Sequence, residues 1–173
     1  MDLTGKKVII LVEQQFNDHE FWYPYYRMLE AGAGVTIVGS GTAIDYKGKD
    51  GTQTKSDKSA DQINPSDFDA IIIPGGFAPD FMRRNKAMVN LVKIMSESGK
   101  TVAAICHAGW MLASAKILKG KKATSFFAIR DDMENAGAIW MDEEVVIDGK
   151  LVTSRTPADL PAFMKAVLKS ISA

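Results

Sequence analysis

Four near-continuous apolar runs limit what this chain can fold into: KKVIILV (6–12), VTIVGS (35–40), FDAIIIPGG (68–76) and KTVAAIC (100–106). Strands without polar alternation are buried on both faces, the mark of a parallel sheet covered by helices. Helix-like segments lie between the runs. In DHEFWYPYYRMLEAGAG (18–34), Phe21, Tyr25, Met28 and Leu29 share one face, and the pattern stops at Gly32. In NKAMVNLVKIMSESGK (85–100), Met88, Leu91, Val92 and Met95 recur at helical spacing up to Gly99. This βαβα alternation predicts an α/β fold with a mostly parallel central sheet.

The polar stretch AIDYKGKDGTQTKSDKSADQINPSD (43–67) is rich in turn formers and reads as a short hairpin with a surface excursion, not as a linker. EEVVIDGKLVTS (143–154) is apolar, Asp-Gly, apolar, a strong hairpin signal. TPADLPAFMKAVLKSISA then reads as a helix with Thr156 as N-cap and Pro157 at its first position. A length of 173 residues leads us to expect one domain spanning 1–173.

Lys plus Arg number 21 and Asp plus Glu number 21, so overall charge gives no reason to expect a nucleic-acid partner or an anionic membrane. No apolar run approaches the roughly 18 residues that span a bilayer. The opening MDLTGKKVIILVEQQ lacks a signal-peptide core and cleavage site, and one cysteine allows no internal disulfide, so a cytoplasmic protein is expected.

That cysteine carries the chemistry. AAICHAGWML (103–112) puts Cys106, followed by His107, where a buried strand gives way to a helix-like segment. Ligands of open parallel sheets bind outside the carboxyl ends of the strands, and a thiol at a helix N-terminus is biased toward thiolate. The turn resembles a nucleophile elbow. The bland alternative is a buried cysteine acting as a small hydrophobe. In IIIPGGFAPD (71–80), Gly75 and Gly76 follow a buried strand and could turn backbone N–H groups toward the thiol as an oxyanion hole, or form an ordinary β-to-α turn.

Taken together, AICHAGWMLASA, FDAIIIPGGFAPD, QFNDHEFWYPYYRMLEAG and IRDDMENAGAIWMDEEVVIDGKLVTSRTPADLPAFMKAV resemble the PfpI family of intracellular proteases and protein deglycases, within the ThiJ/PfpI superfamily. The resemblance implies a three-layer α/β sandwich of the flavodoxin-like, class I glutamine-amidotransferase-like kind. It also implies a Cys106 nucleophile, a His107 base, and an oxyanion hole from the Gly76 and His107 amides. The acid that orients the histidine would come from an adjacent subunit, where this chain has Asp80 for the usual Glu, and the chain would assemble as a dimer or hexamer. Family members carry a glutamate in the first β-to-α loop that hydrogen-bonds the cysteine. Aligning QFNDHE on that pattern puts Asn17 there, a residue that can donate to a thiolate but cannot exchange a proton. The flanking carboxylates Glu13, Asp18 and Glu20 could partly compensate, although Asp18 reads more readily as a helix cap and Glu20 as a first-turn residue.

His19 reads as a solvent-facing helix residue, with a place near the site as the alternative. No metal is expected, because Cys, His and carboxylates are not clustered at ligand spacing, and no cofactor is expected. Phe21, Trp22, Tyr23, Tyr25 and Tyr26 are too many for one buried face, so part of the group is expected at a subunit interface or a pocket wall. The leading expectation is a cysteine-dependent hydrolase acting on peptides, or on glycated amino groups and small α-oxoaldehydes. The alternative is a redox sensor or stress-protective holdase in which Cys106 is oxidised without turnover.

Overall fold

The computed structural model describes residues 1–173. The chain runs β1 (Lys7–Leu11), α1 (Asp18–Glu30), β2 (Gly34–Gly39), β3 (Asp45–Lys47), β4 (Gln53–Lys55), β5 (Lys58–Ser59), β6 (Ala70–Ile73), α2 (Ala78–Arg83), α3 (Lys86–Glu97) and β7 (Thr101–Ile105). It continues through α4 (Gly109–Ser114), β8 (Lys122–Ala123), α5 (Arg130–Asn135), β9 (Ile139–Trp140), β10 (Val145–Asp148), β11 (Leu151–Ser154) and α6 (Leu160–Ser172).

Seven strands form one sheet in the order β10-β11-β7-β6-β1-β2-β5, parallel throughout except for the β10/β11 hairpin. The four apolar runs are β1, β2, β6 and β7. Every residue of β6 and β7 is buried, because α1 and α6 cover one face of the sheet and α2, α3 and α4 the other. This is the three-layer α/β sandwich with a mostly parallel central sheet. Its 45-residue apolar cluster extends up to Cys106, so the strand end that carries the thiol is anchored in the core.

Local signals explain most boundaries. Asp148 pairs with Leu151, leaving Gly149 and Lys150 as a two-residue loop in which Gly149 takes φ +62°, the left-handed geometry such a hairpin needs. α3 buries Met88, Leu91, Val92 and Met95 as its periodicity requires. α1 is rotated from the expected face. Phe21, Pro24 and Met28 are inside, whereas Tyr25 is half-buried and Leu29 is 45% exposed, because those two lie on the flank of the Glu20–Pro24–Met28 stripe.

The 43–67 stretch forms the β3/β4 hairpin and then returns as β5 to the main sheet edge. Thr156 precedes a single 3₁₀ turn, Pro157–Asp159, and the α-helix proper starts at Leu160. No helix is long and apolar enough to cross a membrane.

Candidate active site

β7 ends in extended backbone at Ile105 and then turns abruptly: Cys106 takes φ +62°, and a 3₁₀ turn, Cys106–Ala108, leads into α4. A cysteine in the left-handed region costs of order 1 kcal/mol or more and persists only where its surroundings over-determine it. The turn has a chemical result. It brings His107 Nδ1 to 3.3 Å from Cys106 Sγ, although neighbouring side chains ordinarily diverge. The imidazole is half-buried against Phe126 and Trp110, with ring centroids 4.9 and 5.1 Å away, and its side chain makes no other hydrogen bond within the chain.

The second wall is the loop after β6. Gly76 takes φ +76° and bridges to Phe16, with Asn17 N donating to Gly75 O (3.1 Å) and Phe77 N donating to Gln15 O (3.0 Å). A Cβ on Gly76 would lie 2.5 Å from both Asn17 N and Gln15 O. A Cβ on Gly75 would lie 2.6 Å from Glu20 Oε2, 2.8 Å from Cys106 Cβ and 3.0 Å from Ile105 O. Both positions therefore require glycine for close approach. Gly75→Ala is expected to destabilise the fold by about 1–3 kcal/mol and to separate Glu20 from the thiol. Thermal melts and thiol alkylation rates measure the two effects, and an unchanged alkylation rate would show that the close approach is unimportant.

Asn17 does not touch the thiol as the alignment required. It is the N-cap of α1, its side-chain oxygen accepting from His19 N (3.1 Å) and Glu20 N (3.3 Å). The carboxyl beside Cys106 is that of Glu20, fully buried, with Oε2 accepting from Gly75 N at 2.7 Å. Asp18, read as the cap, instead clamps the β3/β4 loop by accepting from Asp50 N and Thr52 N, both at 2.9 Å, and from the Thr52 hydroxyl. Burial opposes ionisation of Asp18, but these hydrogen bonds prevail and hold its carboxyl below the usual range.

The sequence places Glu20 among the carboxylates that could compensate for Asn17 while favouring a first-turn role, yet a stronger signal is present. With Asn17 as cap, Glu20 is the third helical residue and lies four before Pro24 and eight before Met28, on the stripe that must face the core. An acid on a buried stripe is a functional candidate in its own right.

The electrostatics differ from a simple helix-end thiolate. Burial, and then the charge of Glu20, push the Cys106 thiol up to about 12, against the pull of the His107 and Gly76 backbone N–H groups. Burial pushes Glu20 up to about 7, opposed by the Gly75 amide and the charge of Lys49. Glu20 Oε1 is buried without a hydrogen-bond partner, although the carboxyl is near enough to the thiol to influence its titration. Burial lowers the pKa of His107, which keeps it neutral and able to accept a proton at neutral pH.

The remaining candidates fall outside this constellation. Asp80 lies in α2, paired with Arg84 of the following turn. His19 is exposed. Of the aromatic group, Phe21 is buried, Trp22 and Tyr25 are half-buried, and Tyr23 and Tyr26 are 37% and 60% exposed. No group of three or more His, Cys, Asp or Glu side chains is arranged to hold a metal ion.

The profile of the DJ-1/PfpI family matches residues 6–170. Deglycase PfpI of Pyrococcus furiosus is 45% identical over 163 residues, covering 94% of this chain and 98% of that protein. Protein/nucleic acid deglycase 2 of Escherichia coli is 41% identical over 171 residues, covering 98% of this chain and 99% of that one. A crystal structure from Anabaena variabilis, of a two-domain protein with DJ-1/ThiJ/PfpI-like and ferritin-like domains, superposes with a TM-score of 0.95 at 46% identity over 96% of this chain. The present chain covers 48% of that longer protein.

Proposed function

The chain belongs to the DJ-1/PfpI family, and from that premise we propose that it is a cysteine-dependent hydrolase of the deglycase kind, acting on small carbonyl adducts of amino groups and on α-oxoaldehydes. One observation carries the reading: Cys106 Sγ, His107 Nδ1, the Glu20 carboxyl and two backbone N–H groups converge at one strained turn. Sγ adds to the carbonyl carbon while its proton passes to His107 Nδ1 or to Glu20; that proton then goes to the amine nitrogen as the carbon–nitrogen bond breaks, and water cleaves the thiol-bound fragment to restore the free thiol. The oxygen that gains the electron pair is met by the Gly76 and His107 amides. A resting thiol with a neighbouring acceptor suits this path, because the proton leaves only as the new bond forms.

Access favours a small substrate. Cys106 is 8% exposed, and the ring contacts of His107 with Trp110 and Phe126 narrow the approach, which suits an aldehyde or ketone group better than an extended peptide. An oxidant-sensing role needs a thiolate at rest, and the raised thiol pKa weighs against it. The test is release of free amine from a methylglyoxal–amine adduct by purified protein, run beside a peptide panel. Turnover of the adduct is expected, and turnover of peptides alone would overturn the choice of substrate.

Asp80 belongs to the same proposal, as the acid that orients His107 of a second copy. In its support, His107 has no acidic partner in its own chain, and Asp80 is a partly exposed carboxylate. Asp80→Asn is expected to lower kcat/KM about tenfold or more without dissociating the assembly. A fully active monomer in sedimentation would remove the shared site.

A further inference from the structure

Balanced overall charge hides a local concentration. A cleft of about 680 Å³ between α3, α4 and the end of α2 is lined by Arg83, Lys86, Lys93 and Lys116 together with Asn90 and Ser114, and no carboxylate lines it. Arg83, Lys86 and Lys116 have no acidic partner within 4.0 Å, and Lys93 meets only an exposed Glu97 at 3.7 Å. One contact fixes the cation at the end of the cleft, and one backbone position places another at its rim. Arg83 Nε donates to Ser114 Oγ at 2.9 Å, tying α2 to α4. Lys116 occupies a left-handed position, φ +59°, where glycine or asparagine fits with less strain.

The cleft also communicates with the catalytic turn. The Arg83 guanidinium lies 5.9 Å from the centre of the Trp110 ring, and Trp110 packs on His107.

We propose that this cleft binds the phosphate groups of a ligand, with Arg83 at its catalytic end. Four cations around an open cleft without a competing carboxylate suit several phosphate oxygens, and Asn90 and Ser114 add neutral hydrogen-bonding groups. The ligand class is a phosphate ester, either isolated phosphates or a phosphodiester backbone. The proposal rests on the catalytic reading only for its direction toward His107. Binding is measurable without turnover, and Cys106→Ala is expected to bind as the wild type does.

The test measures binding of pyrophosphate, adenosine monophosphate and a labelled single-stranded oligonucleotide of about eight nucleotides at low and moderate salt. Affinity is expected to fall with salt, with a log–log slope of up to about −3 for the oligonucleotide, since each phosphate contact on a single strand contributes about −0.7. The triple variant Lys86→Gln/Lys93→Gln/Lys116→Gln is expected to weaken binding at least about tenfold and to flatten the slope. Lys47→Gln/Lys58→Gln, which neutralises exposed lysines of β3 and β5, leaves both unchanged. Binding of the oligonucleotide alone identifies the backbone as the ligand, and comparable binding of the mononucleotide identifies isolated phosphates. Absence of binding by all three probes, or equal loss in the Lys47/Lys58 variant, overturns the site.

Discussion

Cys106→Ala is expected to abolish turnover of carbonyl adducts, by at least about 10³-fold in kcat/KM, because the proposed nucleophile is removed while the amides and the acceptors stay in place. The fold survives, since the alanine methyl fills part of the thiol's space and β7 remains anchored in the core. The left-handed backbone, φ +62° at Cys106, is expected to persist in that variant. Cys106→Gly is therefore expected to be more stable than Cys106→Ala by about 1 kcal/mol, as glycine adopts positive φ at little cost. Progress curves and thermal melts on the two variants separate chemistry from strain. A Cys106→Ala protein that retains the wild-type rate would remove the nucleophile from the reading altogether.

Glu20→Gln is expected to lower kcat/KM about 10²–10⁴-fold, the usual range for losing a positioned proton acceptor, while keeping the size of the side chain. It should also bring the Cys106 pKa down from about 12, because the charge of Glu20, one of three causes that raise it, is gone. Alkylation rate against pH reports that shift.

The same substitution changes how stability depends on pH. Burial raises Glu20 from 4.5 to about 7, so the folded state holds this proton more tightly than the unfolded chain does. The contribution is fully present below the unfolded value and is lost as pH rises through about 7; the difference corresponds to about 3 kcal/mol. Denaturant midpoints at pH 5 and pH 8 are expected to diverge in the wild type and to converge in Glu20→Gln. Parallel behaviour of the two proteins would contradict a buried, protonatable Glu20.

Much of this is legible in the sequence. Runs such as AIII and TVAAI have no polar side to show to water, so they could only become strands covered on both faces, and they did. The Gly75-Gly76 pair and the strand-to-helix position of Cys106 pointed to a site because a β-to-α corner of a parallel sheet faces the ligand crevice. The error concerned Asn17 and Glu20, three residues apart. A linear alignment assigns a position in the loop, but the start of a helix decides which side chain turns inward. Once Asn17 caps α1, its oxygen is committed to the His19 and Glu20 amides, and Glu20 is the residue carried against Gly75.

Overall charge balance does not exclude a local concentration of one sign. Equal numbers of acids and bases describe an average, and four cations can still meet at one cleft when α2, α3 and α4 pack together.

By itself, the sequence determined the layered α/β class, the strands of the central sheet and the cysteine–histidine pair at the end of one of them. Those follow from local pattern and from the need to bury apolar faces, and both are written into contiguous residues. The tertiary structure alone decided which carboxyl meets the thiol, that His107 folds back to 3.3 Å from Sγ, and that burial holds the thiol protonated while raising Glu20 toward neutral pH. Those outcomes depend on distances between segments remote in the chain and on the exclusion of water from the space they share.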